Sequence, residues 1–567
     1  MKMLFIGFTF CFVLFGCAKQ QSYTSIIEKA QELSLDKDST VHIKALELYE
    51  KAFAKYPDSI DDYSVYEASV VASDIKDFDK AFKYLKPIAA LEEDMFGYPG
   101  WDYILGEYAE GDYKNLMQED RWVALKEKAI LDKKLFFEKL KTDEAEFFSV
   151  KNGVEISDFE APELYQYLKK SNNYLPKKKQ DYSISFKIND TVGTSYFVHL
   201  PKNYNPENKH AVLFYLHGAV RGNVLSEFET KLNLMYDNAR YAKRAEANNV
   251  ILVFPKGDKN FNWMLGDDGF FMIPEIVNQL KTALNIDDNR IHVSGHSNGA
   301  TGSFSYLVKQ PTQFAGFYGF NTHPKVYTGG TFIENVLSRS YINFSTDQDY
   351  YYPPNANDSL NKVMASLNAD YKDYRYNGFP HWFPAFEASE PAYDILFKDL
   401  VSRKRNPFPK DIQWEFDDNN YGTVDWIANA KLDTLKTKKE WQKTLNFDIN
   451  KWFKLTKNDS LVEVEVNEKA FDFPRQSGKI KASYSNNEFR LETSRIKSVN
   501  ITISPEMVDL NKAIKVYVNG KLYFNNKIGY NRSFMLGNFN RFKDRNQLWI
   551  NFIPIEIDWR LPKVNSF

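Results

Sequence analysis

Five residues, Gly295-His296-Ser297-Asn298-Gly299, carry the strongest chemical signal in the chain. They follow a strand-like stretch, Arg290-Ile291-His292-Val293-Ser294, and precede a helix-like one, Ala300 to Lys309, which Pro311 ends. A G-x-S-x-G pentapeptide between strand and helix makes a turn sharp enough to project the serine hydroxyl. Side chains at Gly295 and Gly299 would collide with the strand and the helix, so the glycines belong to the turn. Ser297 is the candidate nucleophile. A serine hydroxyl attacks poorly at neutral pH, so an imidazole must take its proton and a carboxylate must fix that imidazole's tautomer. Of eight histidines only His323 and His381 lie after Ser297. His381, in Gly378-Phe379-Pro380-His381-Trp382-Phe383, stands in a loop after the strand-like Tyr371 to Tyr376 and is the candidate base. His323, in Asn321-Thr322-His323-Pro324, reads as cleft lining or a satisfied loop histidine. The acid is expected just beyond the strand-like Tyr341 to Ser345, where Asp347 and Asp349 both stand. A tetrahedral intermediate also needs donors. The N–H of Asn298 is one, and the N–H of Ala219 is the expected second, from the loop His217-Gly218-Ala219-Val220 after the strand-like Val212 to Leu216. His217 reads as a structural residue of that turn.

The elements that must position these residues follow from periodicity. From Tyr182 to Val401 strand-like and helix-like segments alternate, the pattern of a mostly parallel, doubly wound sheet with helices on both faces. This gives a central α/β domain at 182–403, opening with a hairpin-like alternation from Ser183 to Leu200. Before it, 22–148 reads as a helical domain of amphipathic stretches. Ala45-Leu46-Glu47-Leu48-Tyr49 and Ala81-Phe82-Lys83-Tyr84-Leu85, 36 positions apart, resemble degenerate tetratricopeptide repeats. Such repeats imply a groove for a protein partner, but two fall short of the three such arrays need, which favours a helical cap. Residues 149–181, with Gly153, Pro162, Pro176 and Lys177-Lys178-Lys179, read as a connecting region. Beyond Arg405-Asn406-Pro407 the period changes to two, giving a β-rich, sandwich-like module at 404–567. Asn519-Gly520 and Asn486-Asn487 are its hairpin turns, because both central residues there must accept positive φ. Substrate capture and packing against the central domain are both open roles for it.

The length of 567 residues gives roughly four units as a prior, and 43% hydrophobic with 26% charged residues supports sizeable cores. A net charge of −2 supplies no basic excess for nucleic acid, which is set aside as a partner. No metal-ligand, Walker or dinucleotide spacing occurs, so neither metal nor cofactor is expected. Leu4 to Phe15 is an apolar run that as a helix would reach about 18 Å, short of the roughly 30 Å hydrocarbon core of a bilayer. Residues 1–17 read as a signal peptide, and Leu14-Phe15-Gly16-Cys17 resembles the bacterial lipoprotein signal. That resemblance implies lipidation of Cys17, a bilayer as partner, and export to the outer membrane or periplasmic face of a bacterial cell envelope. An ordinary signal peptide with a chance cysteine is the alternative. Cys11 would leave with the signal, so no disulfide is possible.

Asp267-Asp268-Gly269-Phe270-Phe271, followed by Asn285 to Ala300 with the pentapeptide inside it, resembles the polyhydroxybutyrate-depolymerase and feruloyl-esterase branch of the α/β-hydrolases. The wider resemblance includes prolyl-oligopeptidase-type catalytic domains and covers roughly 185–400. It implies a triad in the chain order Ser297, Asp349, His381, since Tyr350-Tyr351-Tyr352-Pro353 after Asp349 is similar to the family's acid segment. Asp347 is then the alternative acid or a supporting partner. The loop after His217-Gly218 lacks the further glycines of the lipase type, and Asp268 reads as a helix N-cap. The expected activity is hydrolysis of a small or polymer-derived carboxylic ester through an acyl-enzyme. A serine peptidase, or a non-catalytic envelope-binding lipoprotein, is the alternative.

Overall fold

The computed structural model describes residues 22–36, 38–232, 237–458 and 460–557; Cys17 and the rest of the signal segment lie outside the described residues. The chain forms two compact units, Met1–Leu140 and Lys141–Phe567.

In the first unit, helices Tyr23–Ser34, Ser39–Lys55, Asp62–Asp74 and Phe78–Ala89 each open on a polar cap. The side chains of Ser22, Asp38, Asp61 and Asp77 accept from backbone N–H groups of the first turn, satisfying donors with no intrahelical partner. Residues 36 apart are buried alike: Ala45 with Ala81, Leu46 with Phe82, Tyr49 with Leu85. A long helix spans Asp120–Phe147.

The second unit is built on an eight-stranded sheet. Its strands are β1 (Asp181–Lys187), β2 (Gly193–His199), β3 (His210–Leu216), β4 (Ile251–Pro255), β5 (Ile286–Gly295), β6 (Gly316–Phe320), β7 (Ser340–Gln348) and β8 (Tyr371–Pro380). Their order is β1-β2-β4-β3-β5-β6-β7-β8. β2 runs against β1 and β4, and β3 through β8 are parallel to one another. Parallel strands covered on both faces must be apolar throughout. β3, β4 and β6 are accordingly buried at every position.

The β-rich segment adds β9 (Asp411–Phe416), β10 (Ile427–Leu432), β11 (Asp448–Leu455), β12 (Leu461–Lys469), β13 (Gly478–Ser485), β14 (Glu488–Ser494), β15 (Ile496–Ile503), β16 (Ile514–Val518), β17 (Lys521–Asn526) and β18 (Asn551–Glu556). They form a five-stranded sheet β17-β16-β14-β13-β9, a three-stranded sheet β10-β15-β18 and a two-stranded ribbon β11-β12. Asn519 and Gly520 take φ 49° and 81°, and Asn486 and Asn487 take 49° and 63°, as the hairpin turns require. Trp426, beside β10, packs edge-on against Tyr484 and Phe489 of the larger sheet.

Three expectations change. Residues 149–181 are more than a connection, because the helix Ala161–Lys170 buries Leu164, Tyr165 and Leu168 in the main core. The central and β-rich segments are not separate bodies: one hydrophobic cluster runs from Phe147 to Ile555. Buried ion pairs also cross between them, Lys309 to Asp417 at 3.1 Å, Arg339 to Asp425 at 2.6 Å and Lys281 to Asp544 at 3.2 Å. Asp268 is not a helix cap. The helix Asp267–Ala283 starts after Gly266 with no side-chain cap, and the Asp268 carboxylate instead accepts from Asn189 Nδ2.

Candidate active site

β5 ends at Gly295 and the helix Asn298–Lys309 begins with only His296 and Ser297 between them, so the chain must reverse within a very short turn. Ser297 takes the strain, with φ 57° and ψ −120°, a region that residues other than glycine rarely occupy. The flanking glycines are obligatory: a Cβ on Gly295 would lie 2.3 Å from the Gly299 carbonyl carbon, and one on Gly299 only 1.7 Å from Leu216 O.

β8 ends at Pro380 and delivers His381, and the turn after β7 delivers Asp349; each is 1% exposed. His381 Nδ1 donates to Asp349 Oδ1 at 2.9 Å. With Nδ1 protonated, Nε2 carries the lone pair, and Nε2 is buried with no partner among the described residues. Asp349 is itself held. Oδ1 accepts from the N–H groups of Tyr351 and Tyr352 at 2.8 and 3.4 Å, and Oδ2 accepts from Asn321 Nδ2 at 3.0 Å. Asp347 faces elsewhere: its Oδ1 accepts from the Gly378 N–H at 2.7 Å and pins the end of β8.

His296 joins this group unannounced. Its Nε2 donates to His381 O at 2.9 Å, and the two rings lie 5.0 Å apart, so the residue before Ser297 is tied to His381. Burial, with the adjacent His381 next in weight, holds its protonation down to about 3, so it stays neutral. The exposed rings of Tyr351 and Trp382 flank His381 at 4.3 and 5.3 Å.

On the other side of Ser297 the β3 loop comes close, since a Cβ on Gly218 would lie 3.1 Å from Ser297 Cβ. Ala219 has φ 50°, and Asn298 Oδ1 accepts from the Val220 N–H at 3.3 Å, joining loop to helix. The Ala219 N–H has no acceptor among the described residues. Asn298, at the first position of its helix, has no intrahelical acceptor either. His217 is structural, as expected. Nδ1 donates to Gly218 O at 2.8 Å, Nε2 accepts from the Gly257 N–H at 3.1 Å, and burial depresses its protonation to about 4. His323 stacks on Tyr352 at 5.0 Å, likewise neutral with its protonation lowered by burial to about 4. Among the described residues no group of three or more histidines, cysteines or carboxylates has the geometry to hold a metal.

Asn321, His296, Tyr351 and Trp382 were not singled out by the sequence. An asparagine that tolerates positive φ after a strand was the one available signal: Asn321 sits at φ 54° after β6.

No curated protein matches the chain. Among solved structures it is similar to a thermostable esterase (20% identity, TM-score 0.33, covering 40% of this chain and 64% of that one). It is also similar to a Bacteroides ovatus protein described as a dipeptidyl aminopeptidase IV (14%, 0.34, 39% and 36%) and to a ferulic acid esterase (15%, 0.30, 40% and 98%). The chain thus spans less than two thirds of the first two. Residues 193–323, from β2 through Ala219, Ser297 and Asn298 to His323, match the Esterase family model.

Proposed function

We propose that the protein is a serine hydrolase that cleaves a carboxylic ester, with Ser297 as nucleophile, His381 as general base and acid, and Asp349 as the orienting carboxylate. The carrying observation is the His381 ring: Nδ1 is bound to Asp349 at 2.9 Å, while Nε2 is left open in a buried position tied through His296 to the Ser297 turn. Ser297 Oγ attacks the ester carbonyl as His381 Nε2 takes its proton, and Asp349 stabilises the resulting imidazolium. The Ala219 and Asn298 N–H groups receive the oxyanion. Collapse expels the alcohol, protonated by His381, and leaves an acyl group on Ser297. Water, deprotonated by the same imidazole, then releases the carboxylic acid. Ester rather than amide as substrate rests on the Esterase family match over 193–323. A lipidated Cys17 at a bacterial envelope belongs to the same proposal and rests on the sequence alone.

A fluorophosphonate probe tests the reading without a known substrate, because it marks an activated serine. Wild type is expected to label, and Ser297→Ala and His381→Ala to lose labelling. A folded wild type that does not label would overturn the assignment.

A further inference from the structure

Among the described residues, β11 and β12 form a ribbon that makes no ladder with any other sheet of the second unit. It is rich in lysine and glutamate and largely exposed, apart from a few positions that turn inward. Trp452 on β11 is half-buried, and it reaches the segment that carries Asp349. Its indole Nε1–H donates to Tyr350 O at 3.0 Å. Its ring lies edge-on to Tyr352 at 6.3 Å and beside His323, also at 6.3 Å. β11 further packs on the helix Pro354–Ser366, which leaves the same turn.

The contact falls at a telling place. Tyr350 O and Tyr351 N belong to one peptide group, and a trans peptide points its carbonyl and its N–H in opposite directions. Trp452 holds the carbonyl end, and the N–H end donates to Asp349 Oδ1 at 2.8 Å. Rotating that peptide would break both bonds together, so the indole fixes the donor that fixes the carboxylate. The second support of Asp349 lies near the same tryptophan. Asn321, which binds Oδ2, lies two residues before His323, whose ring forms one cluster with Tyr352 at 5.0 Å and Trp452 at 6.3 Å.

We propose that Trp452 is a positioning residue for Asp349, so that the β-rich segment is part of the machinery of the site. This rests on the triad reading above. Trp452 touches neither Ser297 nor His381 among the described contacts; it acts through the orientation of the acid, and a carboxylate misplaced by a fraction of an ångström supports the imidazolium less well.

The test uses the full chain, p-nitrophenyl acetate as probe ester, and fluorophosphonate labelling as control. Trp452→Phe keeps an aromatic ring and removes the donor. It is expected to lower kcat roughly tenfold with KM within about twofold, because the defect lies in the chemical step. In an Asp349→Asn background the same substitution is expected to change kcat less than about twofold, since the carboxylate it serves is gone. If Trp452→Phe does not fold, benzothienylalanine at 452 preserves the ring shape without the N–H and is read by the same criteria. Wild-type kcat in the donor-less variant, or an equal loss in both backgrounds, would overturn the inference while Ser297-dependent labelling leaves the hydrolase reading standing. Loss of that labelling in wild type would overturn both.

Discussion

Asp347 and Asp349 are the same residue type, two positions apart at and just beyond the end of β7, yet the fold gives them different partners. Asp349 is buried and binds His381, whereas Asp347 binds a backbone N–H of β8. Asp349→Asn is therefore expected to lower kcat by roughly 10³- to 10⁴-fold, because an amide fixes the wrong tautomer of the base. Asp347→Asn keeps an oxygen acceptor for Gly378 and is expected to change kcat less than about threefold; steady-state kinetics on p-nitrophenyl acetate separates the two. The histidines make a second prediction. Burial lowers protonation to about 4 in His217 and His323 and to about 3 in His292 and His296, against about 6.5 in the unfolded chain. Between those values the unfolded state binds more protons, so their contribution to stability is complete above about pH 6.5 and is lost as pH falls toward 4. Denaturant midpoints measured from pH 7.5 to 4.5 should fall, and less steeply in His292→Asn, which removes one such group. Ser297 and His381 were legible because a motif and chain order single them out. His296 and Trp452 were not, because their roles come from contacts with residues 85 and 102 positions away.

At the scale of elements, the turn between β5 and its helix is the most constrained piece of backbone in the site. Gly299 approaches Leu216 O so closely that a methyl group cannot be accommodated without moving β3. Gly299→Ala should cost more than the roughly 1–3 kcal/mol usual for overpacking, because backbone and not a side-chain end must move, and should leave soluble active protein undetectable. Gly537 lies on the exposed face of the helix Arg532–Phe542, and a methyl group added there would meet no heavy atom within 4 Å, so the opposite sign is expected. Gly537→Ala should stabilise by about 0.5–1 kcal/mol, read as a shift in the denaturant midpoint. Elements such as these were legible where a local rule governs them: alternation for β1, paired positive-φ residues for the hairpins, G-x-S-x-G for the elbow. Asp268 escaped because a cap and a surface hydrogen bond to Asn189, 79 residues away, leave the same trace in a sequence.

For the molecule as a whole, the change of period near Arg405 marked a change of architecture but not a boundary between independent bodies. Period reports which face of a strand is buried and is silent about what buries it. The burying partner is here the other segment, and charges make the joint costly to break. Lys309 is fully buried on the helix Asn298–Lys309, its ammonium 3.1 Å from Asp417, with its pKa lowered by burial and opposed by that carboxylate. Arg339 likewise pairs with Asp425, and Lys281 is shared between Asp544 and Asp288. A chain ended at 404 bares the apolar face that the β-rich segment covers and removes the carboxylates that pair Lys309 and Arg339, while Lys281 keeps Asp288 at 3.0 Å. Such a chain is expected to be insoluble or unreactive toward the fluorophosphonate probe. A chain of 141–567 retains every one of these pairs and the whole Phe147-to-Ile555 cluster, and is expected to label like the full protein. Lys309→Met should destabilise by about 3–5 kcal/mol, and Lys309→Met with Asp417→Leu by clearly less, because the second change removes the orphaned carboxylate from beside the helix that carries Ser297. Asp417 also accepts from the Gly330 N–H and pairs with Arg475, so recovery in the double variant should stop short of wild type.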